Sequence, residues 1–79
     1  MVQQSMIRHI REQRSETISS MAKKLGIGAS RYYMIENGER PATPELALAI
    51  ARILGVETET LFLPQSFTAR QTNPEEAKA

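Results

Sequence analysis

Apolar residues recur at helical spacing in the first half of the chain. The i, i+3, i+4, i+7 spacing of one helical face is met by Ile18, Met21, Ala22 and Leu25. Gly26 follows and predicts the end of this helix, because glycine adopts a left-handed conformation without a Cβ penalty. Tyr32 and Ile35 are three residues apart and predict the inner side of a second helix, which Asn37-Gly38 ends. This stretch therefore predicts two short helices joined by a tight turn.

The chain on either side of this stretch predicts three more helices. Ile7 and Ile10 form a short helical stripe before it. After it, Thr43 and Pro44 supply an N-cap and a proline at the first helical position, and Gly55 ends the helix that they begin. The predicted helices are about residues 4–14, 18–25, 29–36, 44–54 and 58–62. The sequence therefore predicts an all-α, compact five-helix fold.

The turn between the second and third predicted helices contains a single apolar residue, Ile27. Thr17 is the predicted N-cap of the second helix, and Gly28 is that of the third. No Glu or Gln stands three residues after Thr17, so no capping box is predicted. Two short helices joined by a glycine-containing turn describe a helix-turn-helix motif. Such a motif presents its second helix at an angle that suits a DNA major groove.

The last part of the chain is mostly polar. Residues 1–63 are the predicted domain, and residues 64–79 are a predicted, partly mobile tail. Phe67 is the only aromatic residue of this tail. It could dock on the domain, or a short strand around it could pair with the same segment of a second copy. Asn73-Pro74 could begin one helical turn.

Length and composition allow one small domain of 79 residues without cysteine. No apolar run approaches the ~20 residues of a membrane span, so we expect a soluble cytoplasmic protein that has no membrane partner. The net charge is only +1, but its distribution is uneven. Residues 1–40 hold seven basic and four acidic residues, a net of +3, and residues 41–79 hold three and five, a net of −2. This favours the first half as the side that faces phosphate.

The sequence predicts no enzyme. It has one histidine, no glycine-rich phosphate loop and no paired carboxylates with a base beside them. His9 stands alone and on a polar helix side, so it predicts no metal site. No cofactor and no small-molecule ligand are expected.

Three short stretches together carry a resemblance to a known family. They are Met21-Ala22-Lys23-Lys24-Leu25-Gly26-Ile27, Ile35-Glu36-Asn37-Gly38 and Leu54-Gly55-Val56. Their combination and spacing resemble the phage-repressor and Cro family of helix-turn-helix domains, the xenobiotic-response-element type, over about residues 6–62. The resemblance implies a five-helix repressor-like fold, binding to double-stranded DNA and, in most members, dimerisation.

The resemblance places the start and outer side of the third helix in the major groove. The implied base-reading residues are Ala29, Ser30, Arg31, Tyr33 and Met34. Ala29 and Met34 have no side-chain hydrogen bond to offer, but they can contact a thymine methyl group. Arg31 could contact a phosphate, contact a base or remain solvated. Tyr33 could meet DNA or another protein.

The resemblance also implies a set of phosphate-facing residues, namely Arg11, Thr17, Ile18, Gly28, Asn37 and Arg40. Ile18 stands where many relatives have a glutamine, so the contact there is either missing or made by the backbone N–H groups of the helix terminus and by Thr17. Asn37 could instead be only a helix stop. Arg11 and Glu36 correspond to paired charges that join the first helix to the end of the third.

These features lead to one main hypothesis and one alternative. The main hypothesis is a sequence-specific transcriptional regulator that binds an operator as a homodimer. The expected dimer contacts are Leu61, Phe62, Leu63 and Phe67. The alternative is a protein-interaction module on the same fold, such as an antitoxin or a repurposed subunit, and the apolar outer side of the third helix favours it.

Overall fold

The computed structural model describes residues 5–71, and this part of the chain is helical. Its five helices are α1 (Met6–Gln13), α2 (Ile18–Leu25), α3 (Ala29–Glu36), α4 (Pro44–Leu54) and α5 (Thr58–Leu61). Within residues 5–71 the only extended pairing is two isolated bridges, Ser5 with Gln71 and Phe62 with Ala69. The predicted all-α fold is therefore confirmed. The expected start of the first helix at residue 4 and the turn at Asn73-Pro74 lie outside the described residues.

Side-chain hydroxyls begin three of the helices. Thr43 accepts a hydrogen bond from the N–H of Leu46 at the start of α4, at 3.1 Å. At the start of α2, Thr17 accepts from the N–H of Ser20, and the Ser20 hydroxyl accepts from the N–H of Thr17, both at 3.0 Å. This is a capping box, so the prediction that none forms was wrong. A serine hydroxyl here does what a longer Glu or Gln side chain does in the usual pattern.

The core lies where all five helices meet. Its largest fully buried side chains are Tyr32, Phe62, Ile7, Met21, Ile35, Ile50, Leu54 and Leu61, together with Glu36. Leu61 and Phe62 are 0% and 1% exposed, because α5 turns them into this core. Both were expected at a dimer interface, and that expectation is corrected here. A side chain buried in its own chain has no surface to give to a second copy.

Within the predicted tail of residues 64–79, residues 67–71 pack on the domain. The N–H of Met6 donates to the carbonyl of Arg70 at 2.7 Å, and that of Ala42 donates to the carbonyl of Phe67 at 2.9 Å. Ala69 is 4% exposed, and Phe67 is half-buried against the core. The segment from residue 67 to residue 71, called the C-terminal strap below, thus connects the start of α1 to the loop before α4. Of the two alternatives for Phe67, the structure shows docking on its own domain.

No helix within residues 5–71 is long and apolar enough to cross a membrane.

Candidate nucleic-acid interface

A tight turn sets the angle between α2 and α3. Gly26 has φ +71°, a left-handed conformation that ends α2. The N–H of Ile27 donates to the carbonyl of Ala22 at 3.1 Å, and the Ile27 side chain packs against the core. Gly28 then begins α3 in extended conformation, without a side-chain cap. The first N–H groups of α3 are therefore open to a ligand.

The two sides of α3 differ sharply. Tyr32, Ile35 and Glu36 are at most 1% exposed, so this side belongs to the core. The side chains that face outward are Ala29, Ser30, Arg31 and Tyr33, which are exposed, and Met34, which is half-buried. These five residues are called the α3 surface below. The adjacent tyrosines point in different directions, since Tyr32 is 0% exposed and Tyr33 is 49% exposed.

A buried ion pair holds the inner side of α3 against α1. Arg11 donates from Nε to Glu36 Oε1 at 2.7 Å and from Nη2 to Oε2 at 3.1 Å. Its Nη1 donates to the carbonyl of Glu16 at 2.8 Å, and the Tyr32 hydroxyl donates to Glu36 Oε1 at 2.9 Å. The paired side chains are 9% and 1% exposed. The network joins α1, the loop after it and the end of α3, and so fixes the position of α3.

This geometry changes the role expected for Arg11. All three of its guanidinium nitrogens donate hydrogen bonds within the chain. The hydrogen bond to Glu36 raises the pKa of Arg11, so the guanidinium keeps its charge in the interior. With 7% of the residue exposed, Arg11 has almost no surface to offer a phosphate. Its expected phosphate contact is therefore corrected to a positioning role behind α3.

The start of α2 offers one side-chain hydroxyl and two backbone N–H groups. The Thr17 hydroxyl accepts a hydrogen bond from the N–H of Ser20 and can still donate its own proton to an anion, while the Ile18 side chain packs against the core. The N–H groups of Ile18 and Ser19, the first two of the helix, have no intrahelical acceptor and can also bind an anion. Beside them, the hydrogen bonds from Lys24 and Ser20 lower the pKa of Glu16, and Lys24 is thereby held in an ion pair.

The loop after α3 carries the other two expected phosphate residues. Asn37 is the half-buried C-cap of α3, with φ −82°, and the left-handed residue is Gly38, with φ +81°. The N–H groups of Glu39 and Arg40 both donate to the carbonyl of Met34, at 2.9 and 3.3 Å. These bonds hold the loop against the end of α3. The Arg40 side chain is exposed there.

The unpaired charges separate into two regions. Within residues 5–71, the exposed cations that lie in no ion pair or side-chain hydrogen bond are Lys23, Arg31, Arg40 and Arg52. Three of these four belong to the helix-turn-helix or to the loop after it. The exposed acids without an ion pair are Glu39, Glu45, Glu57 and Glu59, and all but Glu39 lie in or beside α4 and α5. The unpaired cations are therefore concentrated in the helix-turn-helix and the loop after it, and the unpaired acids around α4 and α5.

Lys23 was not among the residues predicted from the sequence. Its neighbour Lys24 has the same chemistry and is equally exposed, but Lys24 pairs with Glu16, eight residues earlier. The sequence does show two adjacent lysines, Lys23 and Lys24, in the last turn of α2, and this pair was the signal that could have pointed to Lys23. Only the three-dimensional contact separates the paired lysine from the unpaired one.

Within the described part of the chain, no cluster of His, Cys, Asp or Glu is suited to hold a metal ion.

Comparison with known families agrees with this architecture. A sequence model of the helix-turn-helix family matches residues 7–61, well over half of the chain. The chain therefore belongs to the Cro/C1-type helix-turn-helix family of DNA-binding proteins. Searches of curated proteins and of solved structures find no match to the chain. The resemblance to phage repressors and Cro is thus confirmed at the level of the family.

We expect the buried Tyr32 to make the stability of the domain decrease at alkaline pH. Burial raises the pKa of Tyr32 far above its ordinary value of 10.0, so the folded chain keeps the hydroxyl proton while the unfolded chain releases it near pH 10. The stability contributed by this group is complete below pH 10 and is lost as the pH rises further. We expect Tyr32→Phe to lower the free energy of unfolding by about 1 kcal/mol at pH 7, because the hydrogen bond to Glu36 is lost. The decrease in the free energy of unfolding above pH 10 should become smaller in this variant. Urea unfolding between pH 7 and pH 11 measures both effects.

The matched control is Tyr33→Phe, which removes the neighbouring, exposed hydroxyl and should keep the alkaline decline. Parallel alkaline declines in the unchanged chain and in Tyr32→Phe would show that Tyr32 is not the group responsible.

Proposed function

We propose that the chain is a sequence-specific transcriptional regulator that binds operator DNA as a homodimer, with α3 in the major groove. One observation carries the proposal. One side of α3 is anchored by the buried Arg11–Glu36 pair, while its other side is exposed, and three of the four unpaired cations belong to the helix-turn-helix or to the loop after it. A rigid exposed helix in a positive field suits a groove lined by phosphates.

Phosphate contacts position such a protein on the duplex, and half to two-thirds of its hydrogen bonds go to phosphate and sugar. The chain can contact phosphates through the first backbone N–H groups of α2, which begins at Ile18 after Thr17. The first backbone N–H groups of α3, which follows Gly28, can do the same. Arg40 adds an exposed charge beside the end of α3, and Asn37 adds a half-buried amide. The groups after Gly28 and those of Asn37 and Arg40 adjoin the two ends of α3.

The dimer is proposed to form through the side of the domain near α5. Leu63 is 42% exposed there, and Phe67 is half-buried. A groove of about 390 Å³ next to them is lined by Pro44, Thr58, Glu59, Phe62, Pro64 and Phe67. A two-fold dimer would set two α3 helices one DNA turn apart, ~34 Å. A cytoplasmic location is part of this proposal.

Selection of bound sequences from a random DNA pool tests the proposal directly. We expect a palindrome, because a two-fold dimer reads two equal half-sites. Affinity for the selected DNA should fall about 10³-fold between about 50 and 200 mM salt, the loss produced by about six phosphate contacts. Absence of any enriched sequence at low salt would contradict the proposal.

A protein-interaction module is the second candidate. The observation in its favour is the apolar character of the α3 surface, where Ala29 and Tyr33 are exposed, Met34 is half-buried, and none of the three carries a charge. In that case the α3 surface would bind a protein partner with little dependence on salt, and DNA selection would give no preferred sequence.

A further inference from the structure

The α3 surface has few groups that read bases through hydrogen bonds. Ser30 and Tyr33 each offer one hydroxyl, and Arg31 is the only charged donor. The one carboxylate of α3 belongs to Glu36, which is buried and bonded to Arg11 and Tyr32. α3 contains no Asn or Gln, so it has no side chain for the paired contact to adenine.

The position of each residue around the helix shows which side chains of the α3 surface lie at its centre and which lie at its edges. Residues four apart lie in one row along a helix, so Ala29 and Tyr33 form one outward row, and Ser30 and Met34 form the next. Arg31 is in the row of Ile35, which is 1% exposed. Arg31 therefore lies at the edge of the α3 surface, nearer to where a phosphate backbone would pass. Ala29 precedes the buried Glu36 by seven residues, about two helical turns, and so lies at the other edge of the α3 surface. The centre is occupied by a thioether, a phenol ring and one hydroxyl.

The feature of the major groove that an apolar side chain distinguishes is the C5-methyl group of thymine. We propose that the α3 surface selects thymine at particular positions of each half-site, through contact of these methyl groups with Met34 and, at the edge of the surface, with Ala29. The proposal rests on the proposed function and adds the class of sequence that this chain prefers. Ser30 then supplies a single hydrogen bond in the row that it shares with Met34.

Replacement of thymine by deoxyuracil tests this, because it removes the C5-methyl group and keeps base pairing. Each thymine of the selected operator is replaced in turn, and affinity is measured by titration at low salt. We expect affinity to fall about three- to fivefold at each contacted thymine, the value of about one buried methyl group. Replacement of guanine by 7-deazaguanine, which removes the N7 acceptor, should have a smaller effect.

A variant of the protein assigns the contact. In Met34→Ala, the affinities for the thymine and deoxyuracil operators should become nearly equal at one position of each half-site. Met34→Leu keeps an apolar side chain of similar size and should retain most of the preference for thymine. Equal affinity of the unchanged protein for the thymine and deoxyuracil operators would overturn this inference and leave the proposed function standing. Failure to bind either duplex at low salt would overturn the proposed function itself.

Discussion

Arg11→Ala is expected to lower the free energy of unfolding by about 3–5 kcal/mol, the cost of leaving a buried charge without its partner. The Glu36 carboxylate is 1% exposed and would keep only the Tyr32 hydroxyl, because both of the guanidinium hydrogen bonds that it accepts come from Arg11. For a domain of this size, the melting temperature should fall by at least about 12 °C. Thermal unfolding followed by circular dichroism measures this, and DNA affinity should fall with it because α3 loses its anchor to α1.

The matched control lies one turn earlier on the same helix. Arg8 pairs with Glu12 across α1, but these side chains are 52% and 50% exposed. Such a pair is worth about 0.3–0.5 kcal/mol, so Arg8→Ala should shift the melting temperature by only a few degrees. If both alanine variants melt within about two degrees of each other, the Arg11–Glu36 pair is not what fixes α3. Arg11→Lys keeps the charge, loses the two-pronged contact and should fall between the two.

Ala29→Glu is expected to act in opposite directions on folding and on DNA binding. Residue 29 is the first residue of α3, it is exposed, and the first turn of this helix has no acidic residue. A carboxylate there interacts favourably with the helix dipole and should leave stability unchanged or raise it by up to about 1 kcal/mol. The same charge would face the phosphates, and like charges at an interface cost several kcal/mol. We expect at least about a tenfold loss of DNA affinity at low salt.

Two controls separate charge from bulk and from position. Ala29→Gln has nearly the same shape as Ala29→Glu without the charge, and it should bind more tightly than the acidic variant. Leu48→Glu places the same charge on an exposed residue of α4, outside the α3 surface and the proposed dimer side, where DNA affinity should change little. Full DNA affinity in Ala29→Glu would argue against α3 as the DNA-contacting helix.

The helices were largely predictable because their signals are local. The predicted bounds of α3 agree with those of the structure, since Gly28 and Asn37-Gly38 mark its two ends in the sequence. The inner and outer sides of α3 also follow from the spacing of Tyr32 and Ile35. The capping box of α2 was missed because the expected partner was Glu or Gln, while a serine hydroxyl at the same position has the required reach.

The C-terminal strap and the role of Arg11 were beyond local signals. The strap is held mainly through backbone groups, such as the Met6–Arg70 and Ala42–Phe67 hydrogen bonds, and backbone bonds leave no pattern of side chains in the sequence. For Arg11, the family resemblance predicted its partner Glu36, but it did not predict that the pair is buried. Burial depends on how α1, α3 and the loop at Glu16 come together, and it decides between a phosphate contact and an internal anchor.

We expect the C-terminal strap to be the last part of the domain to take its place during synthesis. The N–H of Met6, at the first position of α1, donates to the carbonyl of Arg70. This hydrogen bond therefore cannot form until nearly all of the described chain has been synthesised. While the ribosome is still adding residues beyond α5, α1 can form, but its first N–H must remain hydrated. Nascent chains stalled before residue 70 would then lack the Met6–Arg70 hydrogen bond, and the native arrangement would form only after the strap has left the exit tunnel.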